Sequence, residues 1–184
     1  TISVNHKKEN LKSYPESKIN IGGSEGYYYD NVSEPQMDLY LAKGKAVTDK
    51  AMIICPGGGL YFLSYVKEGI EVARKLASNG ITAIVLKYRT YPREGSVYKW
   101  HKAFCCDSKM AIDSAKTILP YSSKDALSAI EMIRNNAKKY NIDPNKIGLM
   151  GFSAGGAVTM EATYKSTPKN QPNFIAPIYP WMHI

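Results

Sequence analysis

Short unbroken apolar runs alternate with amphipathic stretches along most of this chain, and the two periodicities predict strands and helices in turn. "AMIIC" (51–55) is continuously apolar and stops abruptly at "PGGG", the pattern of a strand buried on both faces. "ITAIVLKY" (81–88) is unbroken and β-branched, and "KIGLMGF" and "NFIAPIYP" supply two more such runs. "QMDLYLAKG" instead alternates, with Met37, Leu39 and Leu41 on one side, which predicts a half-buried strand. Between them lie helical patterns. Ile70, Ala73, Leu76 and Ala77 share a stripe over 67–79, ended by Asn79-Gly80, where a helix stop is favoured. Ala126, Ile130, Ile133 and Ala137 form a second stripe, and 154–165 reads as a third helix. Ser122-x-x-Asp125 reads as a capping box that opens the second helix, and Asp143-Pro144 as its stop.

Strands alternating with helices predict right-handed βαβ units: an α/β class, with a parallel sheet covered by helices on both faces. The C-terminal ends of "AMIIC" and "KIGLMGF" then share a rim, which is where open α/β sheets place their sites. Two segments stand outside the alternation. Residues 1–30 are polar and rich in Lys, Asn, Gly and Tyr, and predict a loosely structured lead-in. Residues 89–121, punctuated by Pro92, Gly95 and Pro120, predict an insertion or cap near the rim, with a short helix around "CCDSKMAIDSAKTI". The 184 residues suit one domain.

Composition narrows the options. Hydrophobic residues at 44% and charged residues at 22% are ordinary globular values. The net charge of +8 is scattered, in pairs such as Lys7-Lys8 and Lys138-Lys139, so no nucleic-acid partner is expected. No apolar run approaches the roughly 18 residues that cross a bilayer, and no membrane partner is expected. Cys55, Cys105 and Cys106 are odd in number and lack CxxC spacing, which predicts three free thiols. No His, Cys, Asp and Glu cluster has ligand spacing, so neither a metal nor a cofactor is expected. The chain opens on Thr1, which reads as a processed or trimmed form from which any export signal is already gone.

Two glycine motifs carry the chemistry. Gly151-Phe152-Ser153-Ala154-Gly155 matches G-x-S-x-G between a predicted strand and a predicted helix. A serine presented above a sheet must sit at a tight, strained turn, and side chains two residues either side would strike neighbouring backbone. The following helix N-terminus favours a developing negative charge. Taken alone, the pattern also fits a small-residue turn in which Ser153 merely caps a helix. The second motif, Cys55-Pro56-Gly57-Gly58-Gly59-Leu60-Tyr61, follows an earlier strand on the same rim. Three glycines can turn their N–H groups outward, as an oxyanion hole requires, and the N–H of Ala154, next to the nucleophile, would be a further donor. The run lacks the endings of a P-loop or a dinucleotide fingerprint. Together the motifs predict a serine acyl-transfer site: Ser153 as nucleophile, with Gly58, Gly59 and Ala154 as the oxyanion hole. Gly57 and Tyr61 are the candidate substrate-binding residues. Tyr61, Phe62, Tyr88, Tyr91 and Trp100 are aromatics that either stack on a sugar or phenolic acyl group or pack ordinarily.

"IICPGGGLYFLS", "EGIEVARKLASNGITAIVLKYRTYP", "DALSAIEMIRNNAKKYNIDPNKIGLMGFSAGG" and "FIAPIYP" resemble the α/β-hydrolase fold. More narrowly, they are similar to the acetyl xylan esterase-like and feruloyl esterase-like carbohydrate esterases of bacteria, over about residues 35 to 181. The resemblance implies a three-layer fold with a mostly parallel sheet, Ser153 as nucleophile, and an oxyanion hole from the backbone of Gly57, Gly58 and Gly59. It also implies acetyl or feruloyl esters of carbohydrates as substrates, cleaved through an acyl-enzyme. With a plant polysaccharide as substrate, a secreted or periplasmic location would follow. A serine peptidase of the same fold and a non-catalytic hydrolase-like binding protein are the alternatives.

One part of the expected site has no clear source. In α/β-hydrolases the acid and the histidine follow the serine along the chain, and here only Glu161 and His183 do. Glu161 falls two turns down the predicted helix, away from the hydroxyl. His183 follows the last predicted strand and is a makeshift base or a terminal residue. His101 lies in the insertion, as a base or as a loop residue near substrate, and His6 lies in the lead-in. The expectation is therefore a fold that lacks its C-terminal strands, completed by a missing segment or a partner chain, with the open strand left as a pairing hazard.

Overall fold

The computed structural model describes residues 1–6, 11–20, 26–44, 46–95, 97, 101 and 108–181. The five predicted strands and a short strand from the lead-in form one six-stranded sheet. Its order is β1 (Ile2–Ser3), β4 (Gln36–Tyr40), β7 (Thr82–Lys87), β5 (Ala51–Cys55), β8 (Ile147–Phe152) and β9 (Phe174–Ile178). β7, β5, β8 and β9 run parallel, and β4 joins antiparallel on one side. The apolar runs fall where their composition requires. All six residues of β7 are buried, and so is β5 apart from Met52, because helices cover both faces.

Register places the chemistry. Ile53 lies between Ile84 and Leu149, and Cys55 lies opposite Gly151. "PGGG" and the serine turn therefore leave the sheet side by side. Phe152 pairs in turn with Ile178, so the chain beyond β9 emerges on the same rim.

The predicted helix at 67–79 begins as a π-helical turn, Val66–Ile70, and continues as α1 (Glu71–Ser78). A third helix, α3 (Ala154–Tyr164), follows the serine as predicted. The second helix differs from the expectation. α2 (Ser108–Asn135) runs without interruption through Pro120, Ser122 and Asp125, so Ser122-x-x-Asp125 is not a capping box. Tertiary bonding outweighs the local stop signal. The Ser122 hydroxyl donates to Arg89 O at 2.7 Å, and the Asp125 carboxylate takes both the backbone N–H and the guanidinium of Arg89. Both side chains of that ion pair are almost fully buried. Burial pushes the Asp125 carboxyl up, while Arg89 pulls it back.

The lead-in is also more ordered than its composition suggests. β2 (Ser17–Asn20) and β3 (Tyr27–Asp30) form a hairpin, which pairs with β6 (Phe62–Leu63) just past the glycine run. Asp30 is buried in an ion pair with Arg93. β2 and β3 thus brace the segment that follows "PGGG", through a pairing distant in sequence that a local reading does not see.

Candidate active site

Ser153 has φ +50° and ψ −116°, a conformation sparsely populated by residues with a side chain and retained where the surroundings enforce it. Its neighbours show what enforces it. A Cβ on Gly151 would lie 2.0 Å from Gly155 O, and one on Gly155 would lie 2.0 Å from Cys55 O and 2.6 Å from Pro56 O. β5, β8 and the first turn of α3 are in backbone contact here, and no side chain fits between them. The Ser153 backbone is held on both sides, its N–H donating to Ile178 O and its C=O accepting from Trp181 N, each at 3.0 Å. Its hydroxyl has no hydrogen-bond partner among the described residues, and it sits at the start of α3, whose N-terminus favours negative charge.

The glycine run packs against this turn. A Cβ on Gly57 would meet Glu68 Oε2 at 2.6 Å, Phe152 O at 2.7 Å and the Ser153 Cβ at 3.1 Å. Gly58 (φ +135°), Gly59 (φ +60°) and Leu60 (φ +65°) follow in left-handed conformations. Tyr61 and Phe62 donate back to Gly58 O, and Ser64 donates to Gly57 O. A Cβ on Gly58 would fall 2.1 Å from Phe62 O, so the loop curls on itself as only glycine allows. Among the described residues, the N–H groups of Gly58, Gly59 and Ala154 have no acceptor. Gly57 is different: its N–H donates to Glu68 Oε2 at 2.9 Å and is not available to a ligand. That corrects the inclusion of Gly57 among the oxyanion donors.

Two aromatics anchor the loop. Tyr88 is fully buried and donates from its hydroxyl to Pro56 O at 2.5 Å. Tyr61 is 1% exposed, stacks edge-on against Phe62 with centroids 5.0 Å apart, and hydrogen-bonds His101 Nδ1 through its hydroxyl. Its ring is packed inside, which corrects the reading of Tyr61 as a platform for substrate. His101 is thereby tied to the residue two beyond the glycines.

Glu161 pairs with Lys165 at 2.5 Å, one turn further along α3. His6 contacts Val4 O and Glu34. His183, Trp100 and the Cys105-Cys106 pair lie outside the described residues. Cys55 is a free buried thiol, and burial pushes its pKa up. Sequence reasoning missed Glu68, whose carboxylate reaches both Gly57 and the hydroxyl of Tyr179. It also missed the Arg89–Asp125 pair behind the rim. An acidic residue inside a predicted helix gives no signal for either.

A parallel sheet with one antiparallel neighbour and a strained serine between two crowded glycines define an α/β-hydrolase fold. The BD-FAE family model matches residues 111–176, which include the serine turn. The chain is 29% identical over 176 residues to endo-1,4-β-xylanase B of Butyrivibrio fibrisolvens, covering 95% of this chain and 23% of that protein. It is 29% identical over 131 residues to an acetylxylan esterase of Xylanibacter ruminicola, covering 71% of this chain and 22% of that one. Among solved structures, an acetyl ester-xyloside bifunctional hydrolase of Caldicellulosiruptor lactoaceticus is similar with a TM-score of 0.55 and 25% identity, over 94% of this chain and 59% of that one. The chain is thus similar in sequence and fold to α/β-hydrolase esterases. It spans less than a quarter of the length of the two sequence relatives.

Proposed function

We propose that this chain carries the nucleophile and the oxyanion hole of a serine carboxylic ester hydrolase acting on acetyl or feruloyl esters of carbohydrates. The observation that carries the reading is the backbone of Ser153 at φ +50° between two glycines that tolerate no Cβ. The relatives named for acetylxylan and acetyl ester-xyloside hydrolysis support the substrate class.

In the proposed reaction, Ser153 Oγ attacks the ester carbonyl carbon as a general base takes its proton. The carbonyl oxygen becomes an oxyanion and receives the N–H groups of Gly58, Gly59 and Ala154. Collapse expels the sugar alcohol, which takes the proton back from the base, and leaves an acyl-Ser153. Water then attacks the acyl-enzyme, and the acid is released. The proposal assigns the base to a histidine delivered along the β9 side of the rim. Phe174 and Ile175 of β9 are 39% and 43% exposed, and this open apolar edge is where the proposal places a further strand, from additional chain or from a partner.

The test is hydrolysis of p-nitrophenyl acetate and of acetylated xylo-oligosaccharides by the full-length protein and by Ser153→Ala, with intact-mass trapping of the acyl-enzyme. The reading expects an acyl adduct on Ser153 and turnover that Ser153→Ala abolishes. Sugar-ester turnover that survives Ser153→Ala would refute it, and binding without turnover would favour a hydrolase-like binding protein.

A further inference from the structure

Among the described residues, Glu68 is the one carboxylate whose contacts reach both halves of the site. It lies in the π-helical turn Val66–Ile70, a rare geometry found often at functional positions. The turn is pressed onto the sheet: a Cβ on Gly69 would lie 2.7 Å from Val85 Cγ1 and 3.3 Å from Pro56 Cγ. Its own backbone is fixed, with the Glu68 N–H donating to Ser64 O at 3.0 Å and the Ile70 N–H to Tyr65 O at 2.9 Å. The side chain is thus aimed at the glycine run by a rigid support rather than by a mobile loop.

The two carboxylate oxygens are used separately. Oε2 accepts the Gly57 N–H at 2.9 Å, and Oε1 accepts the Tyr179 hydroxyl at 2.6 Å. Tyr179 is the first residue past β9 and has φ +35°, a strained value for a residue with a side chain. Its ring rests 5.9 Å from that of Phe152. The residues flanking Tyr179 hold the nucleophile, since Ile178 O accepts the Ser153 N–H and the Trp181 N–H donates to Ser153 O. The contacts close a circuit from Gly57 through Glu68 and Tyr179 to Ser153.

Resting on the reading of Ser153 as nucleophile, we infer that Glu68 is a positioning residue that, with Tyr179, clamps the oxyanion loop to the serine turn and sets their separation. The function needs a carboxylate. A carboxylate offers two acceptor oxygens, whereas the amide of Gln offers one, and bonds to a charged acceptor are the stronger ones. Holding Gly57 by its N–H also orients the peptides that follow, whose N–H groups belong to Gly58 and Gly59. Small errors here are costly, because oxyanion donors act through preorganised distances.

The clamp predicts a specific kinetic pattern in the full-length protein. Glu68→Gln, Tyr179→Phe and the double variant are compared with wild type and Ser153→Ala, using a fluorophosphonate probe and p-nitrophenyl acetate. Glu68→Gln lowers the saturating rate of phosphonylation and kcat by about 10- to 100-fold, the scale of a lost charge-assisted contact. KM and the probe's apparent affinity stay within about twofold, because ground-state binding is untouched. Tyr179→Phe shows the same kind of loss, smaller in size, and the double variant is no slower than Glu68→Gln, since both changes open the same circuit. Tyr179 is 61% exposed, so its Phe variant retains the fold even if Glu68→Gln does not. Wild-type labelling rates and kcat in folded Glu68→Gln and Tyr179→Phe would overturn the clamp while leaving the nucleophile intact. A loss confined to the labelled fraction, at an unchanged rate constant, would make Glu68 merely structural and overturn it equally. Absence of any Ser153-dependent labelling in the wild type would overturn the underlying reading itself.

Discussion

Gly155→Ala tests the construction of the serine turn with a single methyl group. The added Cβ would fall 2.0 Å from Cys55 O and 2.6 Å from Pro56 O, well inside the 3.0 Å below which real contacts are essentially never found. Its obstacles are backbone carbonyls at the end of β5, a central strand paired on both sides. Relief therefore requires moving strand and helix apart by about an ångström. Overpacking a well-packed site costs about 1–3 kcal/mol, and an unyielding backbone puts this site near the upper figure. About 3 kcal/mol corresponds to a fall in Tm of roughly 6–12 °C for a chain of this size. The same displacement separates Ala154 from the glycine run, and a misplacement of about 1 Å can lower turnover about 100-fold. Thermal melts by circular dichroism and ester hydrolysis read the two effects. Gly95→Ala is the control: Gly95 is also left-handed, at φ +83°, but nothing lies within 4 Å of its Cβ position. That variant should lose only the roughly 1–2 kcal/mol of backbone strain and keep its turnover. A Gly155→Ala protein that melts within about 1 °C of wild type and retains full activity would refute the steric account.

The remaining predictions concern the supports of the site. Asp125→Ala leaves the Arg89 guanidinium buried without its carboxylate, so stability should drop by about 3–5 kcal/mol, measured by urea denaturation; a loss below about 1 kcal/mol would contradict the burial of that pair. Cys55, fully buried with its pKa pushed up, should resist iodoacetamide in the native protein and react after unfolding, as peptide mapping by mass spectrometry would show. The Tyr179 phenol, raised from 10.0 to about 12 by partial burial and then by its bond to Glu68, should titrate late in an ultraviolet difference spectrum of wild type against Tyr179→Phe. Because the folded state favours the neutral phenol, the linked stability is fully present below pH 10 and is lost as pH rises from about 10 towards 12. Glu68→Gln should bring that titration back towards 10, and an unchanged curve would contradict the bond.

Legibility in the sequence followed the range of the forces involved. "AMIIC", "ITAIVLKY" and "KIGLMGF" announced buried parallel strands because burial on both faces demands apolar residues at every position, and β5, β7 and β8 fall there. Gly151, Ser153, Gly155 and the Gly57–Gly59 run were equally legible, since a tight turn and a close backbone approach impose glycine locally. Pro120 misled, because the local rule that proline ends a helix was outweighed by Asp125 and Ser122 gripping Arg89, in the segment just past β7. The strands of the lead-in were hidden for the same reason: β3 pairs with β6, more than thirty residues away. Glu68 left no trace in the pattern. Its role depends on a π-turn and on Tyr179, over a hundred positions later, and nothing in the spacing of "VKEGI" encodes either partner.

The central claim is that Ser153 is the nucleophile of an acyl-transfer site, and one measurement addresses it most directly. The full-length protein is treated with a fluorophosphonate probe and digested, and the modified residue is located by tandem mass spectrometry. The account predicts a single phosphonyl adduct on Ser153, formed with saturable kinetics and lost in Ser153→Ala. An unlabelled Ser153, or labelling that persists unchanged in Ser153→Ala, would contradict it.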